Sequence, residues 1–443
     1  MFRRGRGGRW RGRGAGRSTE MATPAPPLGD ILATLQLDDL KEPADQAADL
    51  PIITKCRYLA SYNWLYRAEP RIFVPGRKIS ITTTYLYDHE LMHVYKGEPP
   101  AWTPPSKPPQ LQEDSGQYYR DLNAARSPTY PLEPMIQAIL TDKPGFNLAN
   151  LDIIGCGSTM GNLLRFVREQ DKPFRMLVEV VGNTVFLIRR ENSPTEKLAG
   201  VYGYGHAFPE ANTTWSKGVK GSMSHQRLIE YDFAGMKCLV RFEADGYLPD
   251  LAPDVAKDHI PEPDEVNADD VLASIKEATI SIIHLATTDD DPKKLRIERK
   301  GRHIPQAAVY DLKTRSIKKK DVDTLGEEIA RLWIAQIPNF ILAYHKFGKF
   351  EEVRVQDVSE KVKQWEKDQQ PVLVKFANLL QMIVSFARSS ESGRFEIERE
   401  EGGKCLNLRE QGGVVNSVLP SALTKEWDVE IDTDDTEVFR SSS

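Results

Sequence analysis

Residues 237–245, KCLVRFEAD, and 307–314, AAVYDLKT, both read as strands carrying charge on one face, and that pattern limits the fold of this 443-residue chain more than any other feature. Side chains alternate along a strand. Cys238, Val240, Phe242 and Ala244 therefore make an apolar face, with Arg241, Glu243 and Asp245 on the other. Asp311 and Lys313 likewise share the face opposite Tyr310 and Leu312. Neighbouring carboxylates repel each other unless a cation neutralises them, and a divalent ion such as Mg²⁺ or Mn²⁺ takes hard oxygen ligands of this kind. An acid two residues before a lysine, after an E-x-D strand, suits metal-dependent phosphodiester hydrolysis. The carboxylates hold the ion, the ion lowers the pKa of an attacking water, and the lysine orients that water or offsets developing negative charge. The plainer reading is an exposed polar face on an edge strand, or a surface pair inside the basic run DLKTRSIKKK.

Other segments complete a mixed α+β pattern. Alternation over residues 174–188 predicts two strands joined at Gly182-Asn183. Thr324-Leu-Gly-Glu327 has capping-box spacing and predicts a helix running to about Gln336, ended by Pro338. On that helix Ile329, Leu332, Trp333 and Gln336 recur at helical spacing, so an amide occupies an apolar stripe. A buried amide needs partners, either backbone or a metal-bound water and substrate phosphate. Strand-like ILAY and FEEVRV follow, then an amphipathic helix over 372–387 with Phe376, Leu379, Leu380, Ile383 and Phe386 inward. Residues 51–134, dense in Pro and aromatics, read as an extended strap rather than a helix or central strand. The acidic stretch after Tyr247 reads as a surface insertion with a short helix over 271–277.

Charge divides the chain. Residues 1–17 hold seven arginines (Arg3, Arg4, Arg6, Arg9, Arg11, Arg13 and Arg17), six glycines and no acid; removing them from a net charge of −5 leaves −12. Such a segment has nothing to bury and is expected to be disordered, binding nucleic acid through phosphates and arginine stacking. No run reaches the roughly 20 apolar residues that span a bilayer, so no membrane association is expected. Cys56, Cys156, Cys238 and Cys405 lack finger or framework spacing, which points to a reducing compartment, the nucleus and also the cytoplasm. His89-Glu90-Leu-Met-His93 matches the H-E-x-x-H zinc pattern, but the β-branched ISITTTYLY before it favours strand and no third ligand is evident. Residues 77–96 interrupt an otherwise continuous Pro-rich loop and have the look of an insertion or gene-model artefact. Asp289-Asp-Asp291 is the one feature that resembles a prenyl diphosphate synthase motif, and it sits in a loop context.

Taken together, CLVRFEADGY, AVYDLKTRS and LWIAQIPNFILAYHKFGKF resemble, in order and context, three blocks of the DXO family of decapping exoribonucleases, over about residues 151–387. The resemblance implies a mixed β-sheet core of divergent PD-(D/E)XK nuclease type flanked by helices. It implies that Glu243, Asp245, Asp311 and the Leu312 carbonyl ligate Mg²⁺ or Mn²⁺, and that Lys313 and Gln336 hold water and phosphate. Its substrate class is the RNA 5′ end, and a 5′–3′ exoribonuclease is an expected partner. Two motifs depart from the family. Ile154-Gly-Cys156-Gly-Ser158 replaces its Trp-Arg-Gly segment, and the strand that should end in an acid runs Gly182 to Arg190, with Glu191 as the nearest carboxylate. Those departures keep open a second reading, a nuclease-derived RNA-binding or scaffold protein with weak or no catalysis. An acidic body needs a local basic groove to hold RNA. Lys293, Lys294, Arg296, Arg299, Lys300 and Arg302, then Arg315 and Lys318 to Lys320, flank the Asp311 strand closely enough in sequence to build one, with Arg241 beside the acids. The expected division is a tail over 1–27, a strap over 28–150, a core over 151–390 and an extension over 391–443.

Overall fold

A computed structural model describes residues 23–40, 50–74, 98–198, 200–252 and 294–428. The arginine-rich segment, the H-E-x-x-H pattern, residues 77–96, the helix expected over 271–277, the run 289–291 and Lys293 lie outside the described residues.

The alternation over 174–188 produces a hairpin of β6 (Phe174–Val181) and β7 (Thr184–Arg189), which pair antiparallel. Its turn requires glycine. Gly182 has φ 58°, and a Cβ there would stand 3.2 Å from Trp427. The hairpin lies within an eleven-stranded sheet. On one side it continues through β16 (Arg394–Arg399) and β17 (Cys405–Arg409) to β1 (Ile31–Gln36). On the other it continues through β5 (Ile153–Cys156), β10 (Met236–Glu243), β9 (Ser222–Phe233), β2 (Ile53–Leu65) and β3 (Arg71–Val74) to β12 (Arg296–Arg299). A six-stranded sheet runs in the order β15 (Lys349–Asp357), β14 (Asn339–Lys346), β13 (Val309–Ser316), β11 (Gly246–Tyr247), β4 (Ala101–Trp102) and β8 (Thr213–Thr214).

Two placements correct the sequence expectations. Residues 53–65 are not an outlying strap: β2 sits between β9 and β3 with Leu59, Ala60, Tyr62 and Trp64 fully buried. Consecutive burial means both faces are covered, and between Pro51 and Pro70 the segment contains no proline to interrupt the ladder. The boundary at residue 390 also falls inside the large sheet, because β16 pairs with both β6 and β17.

Helices in chain order are α1 (Leu122–Arg126), α2 (Glu133–Asp142), α3 (Gly157–Val167), α4 (Ala207–Asn212), α5 (Thr324–Ala335), α6 (Ser359–Asp368), α7 (Gln370–Ser389) and α8 (Ser421–Thr424). Apolar side chains of α3, α5 and α7 share one core with the large sheet, while those of α2 pack in a second core with β2 and β7. α7 has the length and mean hydropathy, 20 residues and 1.3, to cross a membrane. Its stripe of Leu373, Phe376, Leu379, Leu380 and Ile383 is spent instead on this core. α5 begins one residue earlier than a Thr324 cap allows: Asp323 is the cap, accepting from the Gly326 N–H at 3.0 Å. Because α5 connects β13 to β14, and these pair in parallel with Asp311 beside Phe340, the helix crosses directly over the Asp311 strand.

Candidate active site

The two sheets part where β10 ends. Glu243 closes β10 in the large sheet and Gly246 opens β11 in the small one, so Ala244 and Asp245 span the gap. Glycine is needed at 246, since a Cβ would meet the Tyr310 hydroxyl and, at 2.7 Å, the Pro100 carbonyl. β13 pairs with β14 along its length, but with β11 only at Val309 and Tyr310. Beyond Tyr310 that edge is open, and the Asp245 Oδ2 caps it by accepting the Leu312 N–H at 2.6 Å. In an extended strand the N–H and C=O of one residue point the same way, so the Leu312 carbonyl is directed to this side as well.

Three carboxylates face the gap, near enough to feel one another's charge. Asp311 is 2% exposed. Asp245 is pushed up to about 7, first by burial and then by the charge of Asp311, with Lys313 pulling it down. Glu243 opens to solvent, yet the protein enclosing it raises its carboxyl, Gln226 on the paired β9 position lowers it by a hydrogen bond, and Asp121 and Asp311 add repulsion. Asp121 caps α1 by accepting from the Asn123 and Ala124 N–H groups.

These residues fit a hard divalent cation in kind. They supply only oxygen donors, and the carboxyl of the half-buried Asp245 is raised first by the protein around it and then by the charge of Asp311, a repulsion that a bound cation would relieve. In this arrangement no three His, Cys, Asp or Glu side chains among the described residues stand together closely enough to enclose an ion. The two oxygens of Asp311 accept instead from both terminal nitrogens of Arg331, Nη2 to Oδ1 at 2.6 Å. Arg331 also donates from Nε to Glu328 at 3.0 Å. Burial works against its charge, but Asp311, Glu328 and Asp245 together raise its pKa above that of a free guanidinium. Arg331 carries no signal of this tie in the sequence, where a Glu328/Arg331 pair at i, i+3 looks like an ordinary exposed helix pair.

The remaining expected site residues divide. Lys313 reaches the gap, with Nζ 4.0 Å from Glu328 and its charge acting on Asp245. Gln336 is not on the helical stripe. It is the C-cap of α5 in the left-handed region, φ 48°, with its side-chain amide turned back onto the Trp333 carbonyl at 2.6 Å. Pro338 forces the chain out of the helix two residues later, which explains the cap. Gln306 pins the Gln336 carbonyl at 3.0 Å while its own Oε1 accepts from the buried Arg227 at 2.7 Å.

Much of the expected basic groove does not assemble, although Lys318 and Lys319 are exposed just after the Asp311 strand. Arg241 is buried in the sheet interior and donates to the Pro131 carbonyl at 2.9 Å. Arg296, Arg299 and Lys300 lie on or just after β12, the edge strand four strands from β10, roughly 19 Å away at ordinary strand spacing. Arg299 donates to the Thr141 carbonyl, Lys300 pairs with Glu298 at 3.2 Å, and Arg302 faces the buried Glu98 at 3.8 Å. Arg315 is near the site but is held by Glu328 at 3.5 Å and Glu327 at 3.8 Å. Proximity in sequence misled here because β12 and β13 belong to different sheets.

Both departing motifs lie beside the gap. Cys156 ends β5 opposite Arg241 of β10 and begins α3, its thiol 3.0 Å from the Ser158 hydroxyl. Arg189, not an acid, ends β7, bonded to Glu191 and 3.9 Å from Asp121.

The family whose description is "Domain of unknown function (DUF8563)" matches residues 46–402. No curated protein matches the sequence. Among solved structures, Scheffersomyces stipitis Rai1 in complex with (3'-NADP)+ and calcium ion shares the fold with a TM-score of 0.51 and 11% identity, covering 91% of this chain and 100% of that one. S. pombe Rai1 in complex with 3'-FADP gives a TM-score of 0.50 and 11% identity, covering 86% of this chain and 99% of that one. The likeness is one of fold.

Proposed function

The chain belongs to the DUF8563 family, and we propose that it is a divalent-metal-dependent hydrolase acting on RNA 5′ ends, removing an incomplete or noncanonical cap, a pyrophosphate or terminal nucleotides. The observation that carries this reading is the meeting of Glu243, Asp245, Asp311 and Lys313 at the gap between the two sheets, in a chain with the Rai1 fold. Bound Mg²⁺ or Mn²⁺ supplies Lewis acidity and a more acidic water. Glu243, Asp245, Asp311 and the Leu312 carbonyl are the groups that would hold it. Lys313 contributes a fixed positive charge where negative charge builds on a phosphoryl oxygen, and it keeps Asp245 the more ionised. The ligands of the two Rai1 structures make an RNA end bearing a nucleotide-like cap the first substrate to try. A nuclear location and an exoribonuclease partner belong to the same proposal.

A second reading, RNA-end binding with weak or no catalysis, is favoured by one feature: Arg331 neutralises Asp311, and Arg189 stands where an acid is expected. The experiment that separates them incubates the purified chain with 5′-triphosphate, capped and 5′-monophosphate RNAs and Mn²⁺, beside a Glu243→Ala, Asp245→Ala control. Product above the control on any RNA supports the hydrolase. RNA retention without product supports the binder.

A further inference from the structure

We propose that Arg331 is a built-in cation that competes with the divalent ion for Asp311, so that the ion enters only as the Arg331–Asp311 pair opens. The inference rests on the metal-dependent reading above and concerns how that site is loaded. A guanidinium fork matches a carboxylate in a bidentate pair, and here it takes both oxygens of Asp311, leaving neither free. A divalent ion on Asp311 would stand against the guanidinium that now holds the same two oxygens, and like charges this close repel, so the two cations exclude each other at Asp311. The pair is built to open. Asp311 is 2% exposed and fixed on the sheet, whereas the Arg331 side chain is 40% exposed at the rim. Arg331 also has a second seat, since Glu328 already accepts from its Nε and would keep it after release. Released from Asp311, the guanidinium stands beside Lys313 and Arg315, both also within reach of Glu328.

The test titrates Mn²⁺ by calorimetry into the full chain, the Arg331→Met and Arg331→Lys variants and the Glu243→Ala, Asp245→Ala control, and records Tm with and without Mn²⁺. The expected result is that Arg331→Met binds Mn²⁺ on the order of tenfold or more tighter than the parent, with Arg331→Lys between them. Without metal, Arg331→Met has a lowered Tm because Asp311 is left buried and unpaired, and saturating Mn²⁺ raises its Tm by more than it raises the parent's. If Arg331→Met proves too unstable to titrate, a tighter Kd for Arg331→Lys supports the proposal and an unchanged one overturns it. Equal Kd values for parent and Arg331→Met, with binding still lost in the double-alanine control, overturn the competition and leave the metal site standing. No Mn²⁺ bound by any variant overturns both.

Discussion

Asp245 is joined to Leu312 across the gap between the two sheets, its Oδ2 accepting the Leu312 N–H at 2.6 Å. The bond fastens the crossover from β10 to β11 onto the unpaired edge of β13, so the residue that raises the question of metal binding is also a structural tie. Its protonation therefore bears on stability. The folded carboxyl titrates at about 7 and an unfolded one at about 3.9, so between those values the folded chain binds the extra proton. Stability from this group falls as pH rises through that window. In metal-free urea denaturation, Asp245→Asn, which still accepts from Leu312, is expected to gain stability relative to the parent at pH 8 and little at pH 5. Saturating Mn²⁺ at pH 8 should stabilise the parent and not the variant. A difference independent of pH would contradict the raised titration.

Lys313 stands at the gap with its Nζ 4.0 Å from Glu328, too far for a strong tie. Losing it should therefore cost catalysis more than folding. Lys313→Met is expected to lower kcat by about 10²- to 10³-fold, the usual cost of one electrostatic donor at a developing charge, with Tm within a few degrees of the parent. A large fall in Tm with kcat preserved would assign Lys313 to structure.

How much of this was legible in the sequence depends on whether a residue's partner was local. Strands β10 and β13 and their one-faced charge follow from alternation, because Glu243 and Asp245, like Asp311 and Lys313, stand two apart in one strand. The hairpin at Gly182 and the core faces of α5 and α7 follow from period alone. Arg331 was not legible: its tie to Asp311 runs between a helix and the strand beneath it, and only the crossover geometry of β13, α5 and β14 brings the two together. Arg241 illustrates the converse. Its place on the polar face was correct, but the segment around Pro131 covers that face, so the arginine is buried rather than offered to RNA. Spacing alone puts Gln336 on the helix, while Pro338 ends the helix just before it.

Gln306 links that cap to the sheet, accepting from Arg227 and donating to the Gln336 and Ala335 carbonyls. Arg227 is 1% exposed, and its other side-chain bond goes to the Ile304 carbonyl at 2.6 Å. Gln306→Leu keeps the size and removes the amide, leaving a buried guanidinium nitrogen without its acceptor. It should destabilise the chain by about 1–3 kcal/mol in reversible urea denaturation. Because the amide also holds the Gln336 backbone, a fall in kcat beyond what the lost folded fraction explains is expected. A neutral substitution would mean water replaces the amide at no cost.

The seven arginines of residues 1–17 lie outside the described residues, and of the basic side chains expected to flank the gap Arg302 and Arg315 are paired with acids. The proposed function expects that segment to hold RNA through phosphates and without sequence preference. Neutralising phosphates on a single strand changes log K against log salt by about 0.7 per contact, so full engagement of the seven contributes a slope near 5. Deleting residues 1–17 is expected to flatten the salt dependence of RNA retention by up to about that amount, measured by filter binding over a salt series. Turnover at saturating RNA should change far less, because Glu243, Asp245 and Asp311 are untouched. Equal losses in retention and in saturated turnover would mean that the arginines act in the site itself rather than holding RNA beside it.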